Sequence, residues 1–441
     1  MFAWLTTYNE ETANIMFAPE IFLTASLHSH PRGGSVTRIL SAAFQSAHAG
    51  EAVKRHLRQH PLPHAKRVFA FGLGKAACAM TSALADLTDL TDALIITKHA
   101  SHLTFQPATV IEGNHPIPGE DSLAAGRAAR KFVSRLTTDD LLVCLISGGG
   151  SALMTAPTIP LPDLQSLTTA LLASGARIDE INTLRRHLDL LKGGGLAQAA
   201  NGAQIISLIL SDVVGDSLET IASGPTAPDP TTREDAIKIS GQTESPLGIG
   251  NLTYSFRETL KPDDPVFQNV HTYILASNEL ALRAAKKQAE QEGFFAEIIH
   301  SGLQGEAREV GRCLARELYE ASQKYKHPFC LLAGGETTVT VQGDGKGGRN
   351  QELALGAVEA LRGMKDVMLI AIATDGEDGP TDAAGALATG ESAQRAESLG
   401  MDAAGFQSRN DAYSFFERLG DLLKPGPSGT NVNDLVMLFA F

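Results

Sequence analysis

The stretch Leu331–Glu352 combines glycines with a carboxylate, an arginine and an amide, groups that bind anions and metal ions. An apolar run ends in two glycines and Glu336, a short β-type run predicts a strand over Val339–Val341, and a glycine-rich turn leads into Arg349 and Asn350. Backbone amides at such a turn favour an anion. The arginine adds a fork of donors that suits phosphate or carboxylate. The pattern predicts an anion site, with Glu336 facing a metal or a hydroxyl; a β-hairpin followed by a capped helix is the alternative.

A second glycine turn, Phe71–Ala77, follows a predicted strand and opens a helix. It matches the dinucleotide fingerprint G-x-G-x-x-A, but the next strand is followed by Lys98 and not by an acid for a ribose diol. It fails as a Walker A loop because Ala76 stands where Ser or Thr would hold magnesium. What remains is Gly74, a helix start and Lys75, which suit phosphate. A solvated lysine is the alternative.

A third loop, Gly148, Gly149, Gly150 and Ser151, follows an apolar strand. Consecutive glycines let backbone amides approach a charged group closely, and the serine could cap the next helix and touch a ligand. The loop is not a nucleophile elbow because Ser147 precedes the glycines. The alternative is a purely structural turn.

A cluster of basic residues lies between these loops and the middle of the chain. Arg185, Arg186, His187 and Lys192 occur within eight residues of an otherwise acidic protein, which predicts an anion site. A basic helix end that compensates its own dipole explains the cluster equally well.

Carboxylates follow two further predicted strands. Asp212 stands where a base or metal ligand is often placed, although it could simply cap a turn. Asp375, Glu377 and Asp378 lie within four residues. Their mutual repulsion is unfavourable unless a cation binds, and magnesium is the natural cation beside phosphate. The spacing of a calcium-binding EF-hand is absent. His115, isolated before a proline, could contact substrate or be a turn residue.

Along the rest of the chain, β-rich runs alternate with helical stretches, which predicts an α/β fold with mainly parallel sheets. The predicted strands are Val68–Phe71, Ala93–Thr97, Thr109–Glu112, Leu141–Ile146, Ile205–Leu210, Tyr273–Ala276, Ala296–Ile299, Phe329–Leu332, Val339–Val341, Val367–Ala373 and Leu435–Phe439. Prolines between Thr226 and Asp264 indicate a boundary between two domains. The polar turn Gly429–Asp434 precedes its strand and so need not lie at the ligand edge.

The composition excludes several classes of function. With 441 residues and a net charge of −13, the chain suits two or three domains, and a sequence-independent nucleic-acid surface is not expected. Four scattered cysteines suit a reducing compartment, which predicts a cytoplasmic protein. No apolar run reaches the length of a membrane span. No signal peptide is predicted, and a monomer and a homodimer both fit the sequence.

Together the motifs resemble one family. Phe71–Ala77, Ser147–Leu153, Ile181–Gly194, Ser211–Thr226, Gly334–Glu352, Thr374–Gly385 and Gly429–Asp434 occur in the order and spacing of the type II glycerate kinases, whose C-terminal part is the MOFRL domain. The resemblance begins near Ser35. Asp189 is a departure, because a serine is expected at this position. Some family members carry the older name hydroxypyruvate reductase.

The resemblance implies ATP-dependent phosphorylation of D-glycerate, usually at the 2-hydroxyl, to 2-phosphoglycerate. It also implies a Rossmann-like N-terminal domain and a smaller α/β C-terminal domain with an interdomain cleft. We therefore expect an N-terminal extension over 1–34, a first domain over 35–265 and a MOFRL-type domain over 266–441. The family's lysine falls on Lys75 and its arginine on Arg349.

The resulting hypothesis is phosphoryl transfer by positioning and charge neutralisation. Lys75, Arg349 and Asp212 are the predicted catalytic residues, and Asp212, Asp375 and Asp378 the predicted Mg²⁺ ligands. ATP phosphates are assigned to Gly74, Gly148, Gly149, Gly150, Ser151 and Lys192. Substrate is assigned to His115, Arg185, Glu336 and Asn350. Two rivals remain: an NAD(P)H-dependent hydroxypyruvate reductase, for which Lys98 could suit a 2′-phosphate, and a sugar-phosphate sensor without turnover.

Overall fold

The structure, a computed structural model, describes residues 17–101, 103, 105–173, 177–242 and 256–441. Residues 1–16 and part of the proline-rich boundary around Pro246 lie outside the described residues.

Within the described residues, the strands are β1 Arg67–Leu73, β2 Asp92–Thr97, β3 Ala108–Glu112, β4 Asp140–Ile146, β5 Gln204–Leu210, β6 Val270–Ala276, β7 Phe295–Leu303, β8 Phe329–Gly335, β9 Val367–Ala373, β10 Gly385–Thr389, β11 Leu422–Leu423 and β12 Asp434–Ala440. The helices are α1 Ala25–Ser29, α2 Gly33–Ala47, α3 Ala49–Gln59, α4 Ala77–Ala85, α5 Glu120–Val133, α6 Gly150–Leu153, α7 Leu161–Ala173, α8 Ile178–His187, α9 Gly195–Ala199, α10 Arg233–Gln242, α11 Asn278–Gln291, α12 Ala307–Lys324, α13 Arg349–Leu361, α14 Ser392–Ser398, α15 Ala403–Ser408 and α16 Ala412–Leu419.

The first sheet is fully parallel, with strand order β3-β2-β1-β4-β5-β6. Its central strands β1, β4 and β5 are mostly buried apolar runs, as expected when helices cover both faces of a parallel sheet. This is the Rossmann order, in which the direction of winding reverses between the first and fourth strands. Ligands of such sheets bind beyond the carboxyl ends of the strands at that reversal, which here lies between β1 and β4.

The second sheet is mixed, with strand order β11-β10-β9-β12-β8-β7. Only β7 and β8 run parallel, and β12 pairs antiparallel with both β8 and β9. The expectation of mainly parallel sheets is therefore wrong for this half. Because β12 is antiparallel, its first residue, Asp434, pairs with Gly335 and Ala373 at the carboxyl ends of β8 and β9. The turn Gly429–Asp434 therefore leads to the edge of the sheet at which β8 and β9 end.

The strand predicted over Val339–Val341 is also absent from this described segment. Thr338 instead makes an isolated parallel bridge to Glu306, and Val341 is exposed. The β-branched residues favour an extended backbone, but no neighbouring strand completes a ladder, because propensity alone does not supply a partner. Arg349 is therefore reached through an irregular loop.

The chain divides into two compact units. The parallel-sheet unit comprises Ala47–Ser277 and Gly429–Val432; the mixed-sheet unit comprises the described part of Met1–Ser46 together with Asn278–Ser428 and Asn433–Phe441. The division after Ser277 differs from the expected boundary at 265/266 because β6 pairs with β5 as the edge strand of the first sheet.

The described part of the expected 1–34 extension is not loose. Phe22 and Leu27 are buried, and the backbone N–H of Ser26 donates to Asp421 at 2.9 Å. Helix α2 belongs to the mixed-sheet unit up to Ser46. Residues 35–46 therefore group with the second sheet, whereas the sequence predicted them in the first domain. Among the described residues, no helix is both long and apolar enough to cross a membrane.

Candidate functional site

The loops after β1 and β4 are joined by hydrogen bonds. The backbone N–H of Lys75 donates to the Gly148 carbonyl at 3.0 Å, and the N–H of Ala76 donates to Ser147 Oγ at 3.0 Å. Gly74 has φ +118°, and a Cβ there would come within 2.3 Å of the Ser147 carbonyl oxygen. Glycine is therefore required at this turn, and the two predicted phosphate loops form one surface at the winding reversal.

Asp212 and His115 pack against the glycines of the second loop. A Cβ at Gly148 would come within 1.9 Å of Asp212 Oδ2, so the carboxylate lies directly against this backbone. A Cβ at Gly149 would lie 3.4 Å from His115 Cδ2 and 3.5 Å from Lys75 Cε. The structure thus brings together four predictions that are far apart in sequence.

The charges of this surface are only partly compensated. Lys75 is exposed, and its ammonium makes no hydrogen bond or ion pair with any residue that the structure describes. Burial raises the pKa of Asp212, and Lys75 opposes that rise. Burial lowers the pKa of His115, and the charges of Lys75, Lys98 and Arg185 lower it further. His115 is therefore neutral at pH 7, whereas the lysine provides a positive charge.

Ser223 is a contact that the sequence did not single out. Its hydroxyl lies 2.8 Å from that of Ser151. Ala222 and Ser223 both have positive φ, +51° and +61°, a strained conformation for residues with a side chain. The signal in the sequence was the Ser223-Gly224-Pro225 turn after β5. This strained turn therefore lies directly against the glycine loop.

Lys192, predicted to bind phosphate, has an internal partner instead. Its side chain is 3% exposed, and Nζ donates to Asp189 Oδ2 at 2.6 Å and to the Met154 carbonyl at 3.0 Å. Asp189 also accepts from the Thr155 hydroxyl and the Ala156 N–H. Burial lowers the pKa of Lys192, and Asp189 opposes that fall. The residue that departs from the family pattern therefore neutralises this lysine.

In the mixed-sheet unit, Arg349 is the first residue of α13 and is held by two carboxylates. Its Nε and Nη2 donate to Asp434 at 2.5 and 2.9 Å, and Nη1 lies 3.0 Å from Glu336 Oε1. Burial lowers the pKa of Arg349, but the bonds and charge of Asp434 outweigh it and raise the pKa overall. The bidentate geometry fixes the guanidinium. Asp434 was missed from the sequence because the direction of its strand was not known.

Asp378 and Asn350 meet at the start of the same helix. Asp378 accepts from the backbone N–H groups of Asn350 at 3.2 Å and Gln351 at 2.9 Å, so both carboxylate oxygens serve the helix terminus. Burial, aided by the charge of Asp434, raises the pKa of Asp378 to about 7. Asn350 is 1% exposed. These two residues therefore meet at the start of the helix whose first residue is Arg349.

The predicted metal ligands are distributed over both units. Asp212 belongs to the parallel-sheet unit, and Asp375 and Asp378 to the mixed-sheet unit. Burial raises the pKa of Asp375, and the charges of Asp434 and Glu377 add to that rise. Among the described residues, no group of three or more His, Cys, Asp or Glu side chains is arranged to hold a metal ion. Mg²⁺ is commonly held by one or two carboxylates plus substrate phosphates, so a preformed group of three protein ligands is not required.

Family models match both units. The model described as "Domain of unknown function (DUF4147)" matches residues 35–247, and the MOFRL family model matches residues 329–434. The first contains the β1 and β4 loops, and the second contains Arg349 and Asp434.

Relatives with assigned names cover most of the chain. Glycerate 2-kinase of Pyrococcus horikoshii is 41% identical over 84% of this chain and 87% of its own length. A protein of Agrobacterium vitis with the provisional name hydroxypyruvate reductase is 39% identical over 90% of this chain and 92% of its own. The crystal structure of glycerate kinase from Thermotoga maritima superimposes with a TM-score of 0.85 at 38% identity, covering 92% of this chain and 99% of that one. The chain therefore belongs to the type II glycerate kinases, the glycerate 2-kinase family with a MOFRL domain.

Proposed function

We propose that this protein transfers the γ-phosphoryl group of ATP to the 2-hydroxyl of D-glycerate, giving 2-phosphoglycerate and ADP. The observation that carries the proposal is the surface at the winding reversal of the parallel sheet. There an ammonium without a side-chain partner among the described residues, a glycine loop and a carboxylate of raised pKa lie together. Phosphoryl transfer needs this combination of positioning, charge neutralisation and proton acceptance.

In this proposal, Gly148–Ser151 and Lys75 hold the transferring phosphate. The three glycines leave room for phosphate oxygens beside the backbone, and the ammonium neutralises charge that develops during transfer. Asp212 accepts the proton of the attacking 2-hydroxyl. The new bond joins that oxygen to the γ-phosphorus, and the bond to the bridging oxygen of ADP breaks. A carboxylate whose pKa is raised by burial is a better base than an exposed one.

Arg349 and Asp375 are the proposed contribution of the mixed-sheet unit. Asp434 fixes the guanidinium through two N–H···O bonds, so Arg349 meets a phosphate with little loss of side-chain entropy. Asp375 is the carboxylate that would hold Mg²⁺. When bound, the ion would supply positive charge that neutralises the phosphates of the nucleotide.

A coupled assay of ADP release tests the proposal. The protein is incubated with ATP, Mg²⁺ and D-glycerate, and the product is identified by NMR. We expect ADP release that depends on D-glycerate and a phosphate on C2. Phosphorylation of C3 would show that the attacking group is the 3-hydroxyl and not the 2-hydroxyl. Absence of ADP release, together with oxidation of NAD(P)H by hydroxypyruvate, would support the reductase instead.

The reductase has weaker support from the residues. Strand β2 ends at Thr97 and is followed by Lys98, so the acid that binds the ribose diol of NAD is missing from its usual place. Lys75 and the adjoining glycine loop suit the phosphates of ATP and those of a dinucleotide equally well. The missing acid after β2 therefore decides in favour of the kinase.

A further inference from the structure

The turn after β5 contains three consecutive residues in the left-handed backbone region. Ala222, Ser223 and Gly224 have φ angles of +51°, +61° and +60°. Glycine adopts this region freely, whereas the Cβ atoms of alanine and serine make it unfavourable. Such a conformation persists only where the surrounding structure determines it, so the contacts of Ser223 must offset the strain.

Backbone hydrogen bonds fix the turn, but they do not need the serine side chain. The Ser223 carbonyl accepts from the N–H of Gly193 at 3.0 Å, and the Gly224 carbonyl accepts from the N–H of Gly194 at 2.8 Å. A glycine at position 223 would keep both bonds and adopt the same φ without strain. The contribution that is specific to serine is therefore its hydroxyl group.

The hydroxyl of Ser223 is directed at the glycine loop. Its Oγ lies 2.8 Å from Ser151 Oγ, and no other described residue forms a hydrogen bond with either hydroxyl. The neighbouring Ala222 also packs on this loop, because a Cβ at Gly150 would come within 2.7 Å of the Ala222 Cβ. The strained turn thus places a methyl group beside Gly150 and a hydroxyl group beside Ser151.

The difference in burial between the two serines decides which of them donates. Ser223 is 0% exposed, so its O–H has no route to solvent, and a buried donor without an acceptor is unfavourable. Its acceptor among the described residues is Ser151 Oγ, and Ser223 therefore donates. Ser151 is partly exposed and, as the acceptor in this bond, keeps its own hydrogen for another partner.

We propose that Ser223 is a positioning residue for phosphoryl transfer: its hydroxyl orients Ser151, whose own O–H then donates to the phosphate that the glycine loop holds. The inference rests on the proposed kinase function for the identity of that phosphate, the γ-phosphate of ATP. Ser223 touches neither substrate and acts through Ser151. The strain of the turn is retained because it carries the hydroxyl to this point.

A double-mutant cycle in steady-state kinetics tests whether Ser223 acts through Ser151. Ser151→Ala, Ser223→Ala, the double variant and the unchanged protein are assayed with ATP, Mg²⁺ and D-glycerate. We expect kcat to fall about 10–100-fold in each single variant, because a positioned donor is lost, while KM for D-glycerate changes less than about threefold. The double variant should be no slower than Ser151→Ala, whereas a general structural defect would add to that loss.

Ser223→Gly separates the hydroxyl from the strain of the turn. This variant lacks the hydroxyl, as Ser223→Ala does, but it also removes the steric conflict at φ +61°. We expect it to keep the low kcat of Ser223→Ala and to have a thermal midpoint about 1–3 °C above that variant. Asn201→Gly is the matched control, because this exposed residue has φ +54° and precedes β5 at the opposite end of the strand. Its kcat should stay that of the unchanged protein.

Nucleotide binding provides a readout that does not depend on turnover. Calorimetric titration with the β,γ-imido analogue of ATP and Mg²⁺ should show about three- to tenfold weaker binding to Ser223→Ala than to the unchanged protein, as expected for one hydrogen bond. ADP, which has no γ-phosphate, should bind both proteins equally.

Four results would overturn the inference. The first is an unchanged kcat in Ser223→Ala, and the second is a double variant in which the two losses add in full. The third is recovery of kcat in Ser223→Gly, which would assign the loss to the backbone and not to the hydroxyl. The fourth is equal weakening of ADP and analogue binding. Failure of the proposed function is a separate outcome: the unchanged protein would release no ADP, and the titrations would still decide whether Ser223 supports phosphate binding.

Discussion

Lys75 in the parallel-sheet unit and Arg349 in the mixed-sheet unit both follow glycine-rich turns, yet their charges are compensated differently. The ammonium of Lys75 has no side-chain partner among the described residues, whereas the guanidinium of Arg349 is bound by Asp434 and Glu336. An uncompensated cation is ready for an incoming anion but contributes little to the folded state. A paired cation is fixed in place, and its removal exposes its partners' charges. We therefore expect that removal of Lys75 reduces activity without reducing stability, whereas removal of Arg349 reduces both.

Lys75→Ala should give the largest effect, and it should be an effect on rate alone. We expect kcat for D-glycerate phosphorylation to fall on the order of 10²–10³-fold, the usual result of removing one preorganised charge. The thermal midpoint should stay within about 1 °C, because no described side chain loses a partner. Lys66→Ala is the matched control, since this exposed lysine precedes the same strand at its opposite end. A large fall in the thermal midpoint of Lys75→Ala, or equal losses of activity in Lys75→Ala and Lys66→Ala, would contradict the proposed role of an uncompensated ammonium.

Arg349→Ala and Asp434→Ala should each reduce stability as well as activity. Asp434 is 6% exposed and Arg349 29%, and a hydrogen bond to a charged group contributes about 1.5–3 kcal/mol. Denaturant unfolding followed by circular dichroism should show a lower midpoint for both variants, with the double variant less destabilised than the two single effects added together. Arg362→Ala, directly after the end of the same helix, is the control, because its pairs with Glu359 and Glu397 are exposed and should matter little. Additive effects would show that the two residues do not act as a pair.

The raised pKa of Asp378 predicts a smaller, pH-dependent difference. Its pKa in the folded protein is about 7, against roughly 3.9 when unfolded, so the folded state binds more protons between these values. Stability from this group is fully present below about pH 4 and is lost as the pH rises through 7. Asp378→Asn should remove a slope of at most about 1.4 kcal/mol per pH unit.

Unfolding midpoints of Asp378→Asn and the unchanged protein, compared from pH 5 to pH 8, measure this slope. Asp402→Asn, at the exposed start of α15, is the control for loss of a capping carboxylate without burial. A difference in stability between Asp378→Asn and the unchanged protein that stays constant with pH would contradict a pKa of about 7 for Asp378 in the folded protein.

Strands β1, β2, β4 and β5 of the parallel sheet could be predicted closely because they are mostly buried apolar runs with clear ends. The loops after β1 and β4 were predicted for the same reason: glycines directly after a buried strand leave few alternatives. The position of Asp212 followed from its place after β5. These features depend on residues that are close together in the sequence.

The features that could not be predicted depend on distant residues. The antiparallel direction of β12, and with it the Arg349–Asp434 pair, is decided by the path of the chain through the mixed-sheet unit. The short strands β10 and β11 are rich in Ala and Leu, a pattern that also fits helices. Lys192 was assigned to phosphate because its charge is visible in the sequence, whereas its burial against Asp189 is not.

The central place of β12 in the second sheet has a consequence for synthesis on the ribosome. All six strands of the parallel sheet have been made by residue 276, whereas β8 and β9 cannot be joined until residues 434–440 have emerged. At about 5–20 residues per second, that is a delay on the order of 10–30 s. During this delay, the apolar strands and the early helix α2 of the mixed-sheet unit lack the central strand of their sheet. We expect this half of the nascent chain, rather than the parallel sheet, to be the part that chaperones bind.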